Sequence, residues 1–292
     1  MLGQSTFTLV NPQNGNLAFK YLEFEDNSFF DHIQRNNYFS LIWVTHGSGK
    51  LKADFSEYEF AEDSLFAFSP YQPYMFIGES IRGIAIHFHA EFFCIYKHHK
   101  EVSSHGLLYN NIYQPPFVKV NKESAATFKM LCEQIKTEMQ KTELAQHELL
   151  VSYLKIFLIN AARLKAQQQP LASGITTHNK EPFILQKLKD AIEENFRTKH
   201  SPADYAELLY ISPKALAKIT KSHFNKPLSS LINERIIIEA KRELYLTDKT
   251  IKEIARELGY EDEYYFSRFF KVNADVSPQM YRETVGYARE MA

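Results

Sequence analysis

The 292-residue sequence predicts a multidomain α+β fold: an N-terminal β-barrel or sandwich with a helical pair, then an all-α domain in which a long helix joins two helix-turn-helix units. Three observations carry this expectation. Apolar residues alternate with a period of two in several stretches of the first 120 positions. Helical periodicity takes over from position 122. Near the C-terminus a two-helix pattern occurs twice, offset by 49 residues before its turn and 50 after it.

Residues 1–120 read as the β-rich domain. In Lys50–Phe60, Leu51, Ala53 and Phe55 alternate with Lys52, Asp54 and Ser56, as in a half-buried strand, and HGSGK before them supplies turn glycines. SLFAFSPYQPYMF reads as a strand entering a proline loop, and IRGIAIHFHAEFF sets Ile84, Ile86 and Phe88 against Ala85, His87 and His89. Short strands between turn signals predict a sandwich or barrel. The opening MLGQSTFTLVNPQNG has no basic segment leading into an apolar run, and no apolar stretch approaches the roughly 20 residues that span a bilayer. A cytoplasmic chain with no membrane partner is expected, with Cys94 and Cys132 as buried unpaired thiols.

Residues 121–166 read as two amphipathic helices. Phe128, Leu131, Cys132, Ile135 and Met139 mark the first, and Leu150, Tyr153, Leu154, Phe157, Leu158 and Ala161 the second. The pair either caps the β domain or also forms a dimer interface. KAQQQPLASGITTHNK, which begins at Lys165, is polar and aperiodic and predicts a linker over 167–180. The last domain, 181–285, opens with a helix traced by Phe183, Leu185, Leu188, Ile192 and Phe196.

The repeat is readable residue by residue. Thr250 with Glu253 forms a capping box; Ile251, Ile254, Ala255 and Leu258 face inward; Gly259 ends the helix; Tyr260 packs after the turn. Asp262 caps a second helix with Phe266, Phe269 and Phe270 inward. In the earlier copy Ser201-Pro202 starts the first helix, Ala206 and Leu209 match Ala255 and Leu258, and Ser212-Pro213 starts the second, with Leu216 and Ile219 inward. Ser229–Leu246 between the copies is a helical pattern about 27 Å long at 1.5 Å per residue. One turn of duplex DNA is about 34 Å, so two recognition helices held apart by such a spacer suit successive major grooves. Net charge gives no sign of this: from Lys180 onward there are 19 Lys and Arg against 18 Asp and Glu. A phosphate-binding surface must come from local placement.

The run KEIARELGYEDEYYFSRFFKVNADVSPQMYR, ending in Ser277, Pro278, Tyr281 and Arg282, resembles the signature of the AraC/XylS family of bacterial transcription regulators; Arg235 and Ala240 fit that family's connecting helix. The resemblance covers about 105 residues and implies double-stranded DNA as partner, a homodimer, and RNA polymerase where the regulator is an activator. Asn225 and Asp275 stand where the family has glycine, and both tolerate the left-handed conformation. Thr220 replaces a usual Phe.

The resemblance assigns Pro213, Lys214, Ala217, Lys218 and Lys221 in the first unit, and Glu263, Tyr264, Ser267, Arg268 and Lys271 in the second, to base edges and phosphates. Arg268 suits guanine, Glu263 cytosine and Tyr264 a thymine methyl, while Lys218, Lys221 and Lys271 suit phosphate. Glu261, Asp262 and Glu263 repel phosphate, so the second unit is expected to bind selectively or weakly.

Residues 31–76 are similar to that family's cupin-like sensor domain, whose barrel interior holds a small effector. Of the aromatics Phe39, Trp43, Phe66, Phe68, Phe76 and Phe88, some should point inward, and Trp43, Phe68 and His87 are the candidate effector contacts, for an apolar ligand such as a fatty or aromatic acid. His87, His89 and Glu91 alternate as metal ligands could, but the full spacing of metal-binding cupins is missing, so no metal or other cofactor is expected. No catalytic Ser/His/Asp set, phosphate loop or cysteine signature is present, and the chain is not expected to be an enzyme. The alternatives are a dimeric regulator without effector and a metal-dependent cupin enzyme with a DNA-binding tail.

Overall fold

The computed structural model describes residues 5–54, 56–98, 107–168 and 183–286. The chain divides into two compact units: Met1–Asn111 with Pro115–Pro170, and Ile112–Gln114 with Leu171–Ala292. Most of the expected linker, and Phe55 with it, lies outside the described residues.

Among the described residues the first unit contains seven strands: β1 (Thr6–Val10), β2 (Leu17–Phe24), β3 (Phe39–Ala53), β4 (Ser56–Phe60), β5 (Ser64–Phe68), β6 (Tyr74–Phe88) and β7 (Phe117–Lys119). They form one antiparallel sheet in the order β1-β2-β6-β3-β5-β7, with β4 also paired to β3. Two expectations need correction. Lys50–Phe60 is not one strand but the hairpin of β3 and β4, turning at Asp54 with φ +50°. HGSGK is not a turn; it lies inside β3, where the pairing with β6 shifts register between Val44 and His46 and again between His46 and Ser48. Its glycines let two long strands meet closely: a Cβ on Gly49 would sit 2.2 Å from the Ile77 carbonyl oxygen.

Register decides which aromatics face which side. Ser40, Ile42 and Val44 pair with Phe68, Phe66 and Ser64 on one flank and with His87, Ala85 and Gly83 on the other, so these share a face. With Leu22, Phe24, Phe30, Phe60, Tyr74 and Phe76 this face makes an aromatic core. Phe66 and Phe76 meet edge-on at 4.8 Å between ring centres, and Phe68 stacks on Tyr74 at 3.9 Å. Phe39, Trp43 and Phe88 lie on the opposite face, which is buried too. Helices α1 (Lys122–Met139) and α2 (Gln146–Gln168) cover it. Phe128 of α1 packs edge-on to Trp43 at 6.0 Å and stacks on Phe157 of α2 at 4.5 Å; Lys136 pairs with Glu23 at 2.9 Å.

Helix α2 runs further than the sequence suggests. Lys165, which opens the polar stretch, is buried and donates to the Pro115 carbonyl at 3.0 Å; burial pushes its pKa down to about 8. Both cysteines are free, Cys132 buried and Cys94 half-buried. Among the described residues no helix is long and apolar enough to cross a membrane.

The second unit is helical: α3 (Phe183–Asn195), α4 (Pro202–Leu208), α5 (Pro213–Phe224), α6 (Leu228–Leu246), α7 (Ile251–Glu257), α8 (Glu263–Ala274) and α9 (Pro278–Val285). Leu185, Leu188, Ile192 and Phe196 are buried as expected, whereas Phe183, at the first turn of α3, is exposed. Helix α6 is the axis of this unit and touches the other six helices. Leu231, Ile232, Ile236, Ile237, Ala240, Leu244 and Tyr245 are all buried along it.

Candidate nucleic-acid interface

Local chemistry sets the two helix-turn-helix units. Ser201 and Thr250 each make a capping box, with Asp204 and Glu253 respectively, and so start α4 and α7. After each helix the turn closes the same way: Ile211 N–H donates to the Ala206 carbonyl at 3.0 Å and Tyr260 N–H to the Ala255 carbonyl at 2.9 Å. Ser212 then caps α5 through the Ala215 N–H, and Asp262 caps α8 through the N–H groups of Tyr264 and Tyr265. Asn225 and Asp275 end α5 and α8 in the left-handed conformation, at φ +57° and +61°. The equivalence of the copies therefore extends from side-chain pattern to individual backbone hydrogen bonds.

Inward residues anchor each recognition helix. Leu216, Thr220 and Phe224 are buried in α5, and Phe266, Phe270 and Ala274 in α8. Thr220, in the place of Phe270, keeps its hydroxyl satisfied inside the core by donating to the Leu216 carbonyl at 2.8 Å. Phe270 instead packs edge-on to Tyr281 at 5.8 Å between ring centres.

The opposite faces carry the candidate reading residues. Pro213, Lys214, Ala217, Lys218 and Lys221 are all exposed on α5. Tyr264, Arg268 and Lys271 are exposed on α8, and Glu263 and Ser267 are half-buried. Spacings of three, four and seven residues put Lys214, Lys218 and Lys221 on one face, as they do Tyr264, Arg268 and Lys271. The two faces differ in charge: α5 presents lysines, while α8 opens with Glu263 and presents a tyrosine, an arginine and a lysine. Asp262 is occupied as a cap, so part of the acidic run is structural.

Two exposed aromatics went unflagged in the sequence. Tyr210 is 98% exposed, takes φ +53° and occupies the place of Gly259; Tyr265 is 58% exposed beside Tyr260. The signal for Tyr210 was present, since a tyrosine stands where the second copy needs glycine.

Ion pairs tie α6 to α3 and to the segment that follows it. Glu239, buried on α6, accepts from Arg197 at 2.7 Å, Arg235 at 3.1 Å and Arg242 at 3.2 Å. Arg235 also pairs with Glu193 at 2.7 Å and lies 3.9 Å over the ring of Phe196. Burial works against its charge, but hydrogen bonds and charges from Glu193 and Glu239 prevail and hold its pKa above the usual arginine value. Arg282 of α9 donates to the carbonyls of Leu244 and Lys249, closing the gap between α6 and α7.

The effector candidates do not form one site. Phe68 and His87 share the aromatic-core face, but Trp43 sits on the other, under Phe128, because it is one residue out of phase with Ile42. His87 is buried and hydrogen-bonded to Ser40 at 2.9 Å, and burial, with the Lys20 charge nearby, pushes its pKa down to about 3. Among the described residues no three His, Cys, Asp or Glu side chains converge as a metal would require.

Comparison with known proteins bears on this geometry. Residues 205–284 match a protein family described as "Helix-turn-helix domain". The sequence is 29% identical over 125 residues to an uncharacterized HTH-type transcriptional regulator, YijO, of Escherichia coli, covering 43% of this chain and 44% of that one. It is 30% identical over 115 residues to the raffinose operon transcriptional regulatory protein RafR of Pediococcus pentosaceus, covering 39% and 41%. An uncharacterized regulator of the same type, YfiF of Bacillus subtilis, is 22% identical over 284 residues, covering 89% and 85%. The chain thus spans less than half the length of the first two relatives.

Proposed function

The chain carries an AraC-type helix-turn-helix domain at residues 205–284, and from that premise we propose that it is a sequence-specific transcription regulator that lays α5 and α8 into successive major grooves of one duplex. The observation that supports this best is the pairing of two outward faces, Lys214, Lys218 and Lys221 on α5 with Tyr264, Arg268 and Lys271 on α8, both borne by helices that touch α6. Phosphate contacts from the lysines set position, and Arg268, Glu263 and Tyr264 read base edges.

The N-terminal unit supplies control. In this reading it binds a small-molecule effector on the core face that carries Phe68 and His87, and the α1–α2 pair joins a second copy, with exposed Met130, Leu149 and Ile156 available to it. An effector that favours one arrangement of the chain shifts the DNA-bound population. RNA polymerase is the further partner if the regulator activates, and the cytoplasm is the expected compartment. No catalytic role is assigned.

The test is footprinting of the full chain on fragments of its own genome in the presence of excess random competitor. A protected stretch of about two helical turns, lost in an Arg268→Ala plus Lys218→Ala double variant, is the expected result. Protection that competitor DNA removes as readily as specific DNA would overturn the reading.

A further inference from the structure

The β1–β2 turn, the segment after β6 and the start of α2 line an open cavity of about 340 Å³ within the first unit. That size lies in the range of small-molecule sites. It is on the sheet's flank, separate from the aromatic core. Leu17, Ala18 and Phe92 line its apolar part, and His89, Glu91 and His147 its polar part. Phe92 and His147 stand edge to face at 4.7 Å between ring centres.

The carboxylate defines the chemistry. Asn11 and Asn14 both donate side-chain amide hydrogens to Glu91 Oε2, at 3.2 and 3.1 Å. The same oxygen is 3.7 Å from His89 Nδ1, and His89 is 2% exposed. The amides orient the group but bring no charge, and no lysine or arginine lines the cavity. Both amide bonds fall on Oε2 and neither on Oε1. An exposed carboxylate oriented by two amides, beside aromatic rings, attracts a cation with a small apolar body. An anionic guest would face uncompensated repulsion, and a neutral one would forgo the charge.

We propose that this cavity is a binding site for a small organic ammonium compound, its charged group on Glu91 Oε1 and its apolar body against Leu17, Ala18 and Phe92. The proposal does not depend on DNA binding, which is read separately.

The experiment uses the full chain and benzylammonium as probe, with benzyl alcohol and benzoate as neutral and anionic counterparts. Thermal melting and calorimetric titration are the readouts. Benzylammonium is expected to raise the melting temperature with concentration, and to bind at least tenfold more tightly than either counterpart. Glu91→Gln should remove that preference. Ala18→Leu fills the cavity, leaves Glu91 intact and should abolish binding, so the outcome stands even if Glu91→Gln disturbs the turn. Equal binding of benzyl alcohol, no benzylammonium binding, or unchanged affinity in Ala18→Leu would overturn the proposal.

Discussion

Gly259 rests directly on the backbone of Arg197: a Cβ at Gly259 would lie 2.2 Å from the Arg197 carbonyl oxygen. The turn of the second helix-turn-helix unit is thereby pressed against the segment that leads into the first. Next to this contact His200 stacks on Tyr260 at 4.7 Å between ring centres. The second unit therefore meets the α3–α4 connection directly and not only through α6.

Gly259→Ala should be strongly destabilising. The position has φ +81°, which L-residues adopt at a cost of about 1–2 kcal/mol, and the added methyl must also displace rigid backbone. A loss of at least ~2 kcal/mol in chemical denaturation is expected. A loss below 1 kcal/mol would mean that the 197–200 segment yields.

Tyr210→Gly should do the opposite. Tyr210 takes φ +53° with its side chain almost fully in solvent, so it has strain to relieve and little packing to lose. Glycine removes the strain but gains freedom in the unfolded chain, leaving a net gain of up to ~1 kcal/mol. A clear loss would reveal that the ring contributes to the fold.

Arg268→Ala and Lys221→Ala should separate reading from holding. The first should cost about 1–3 kcal/mol of binding and relax preference at one base pair; the second should weaken all sequences alike and reduce the salt slope by about 1. Titrations on a footprinted site and its single-base variants, at several salt concentrations, check both. Identical behaviour of the two variants would reassign Arg268 to phosphate.

His87 should make stability fall with acid. Its folded pKa of about 3 lies below the ordinary 6.5, so between these values the unfolded chain holds a proton that the folded chain lacks. Stability then decreases as pH drops through this window, by at most about 1.4 kcal/mol per pH unit from this one group. Denaturation midpoints at pH 7, 6 and 5 should show a shallower slope in His87→Leu than in the parent. Equal slopes would mean that His87 is protonated in the fold.

The second unit was legible because its signals are local. A capping serine, a left-handed Asn225 or Gly259 and a proline at a helix start each act within a few residues, and each does so in the structure. The sheet was harder to read. HGSGK looks like a turn until β6 is placed beside it, because a register shift belongs to two strands and is written in neither alone. Trp43 was misjudged for a related reason: both faces of β3 are buried, so alternation no longer tells inside from outside. The cavity at Glu91 joins Asn11, Glu91 and His147, whose distance along the chain hid their proximity.

Helix α6 touches both helix-turn-helix units along one continuous buried rod, and such a rod has no slack. Adding one base pair between the two contacted grooves turns the far one by about 34° around the duplex axis, since a turn takes 10 to 10.5 pairs. A flexible tether would swing to follow it. On the proposed two-groove reading the protein works as a ruler with two fixed marks, and an operator that is one base pair too long must lose one of them or be untwisted to fit.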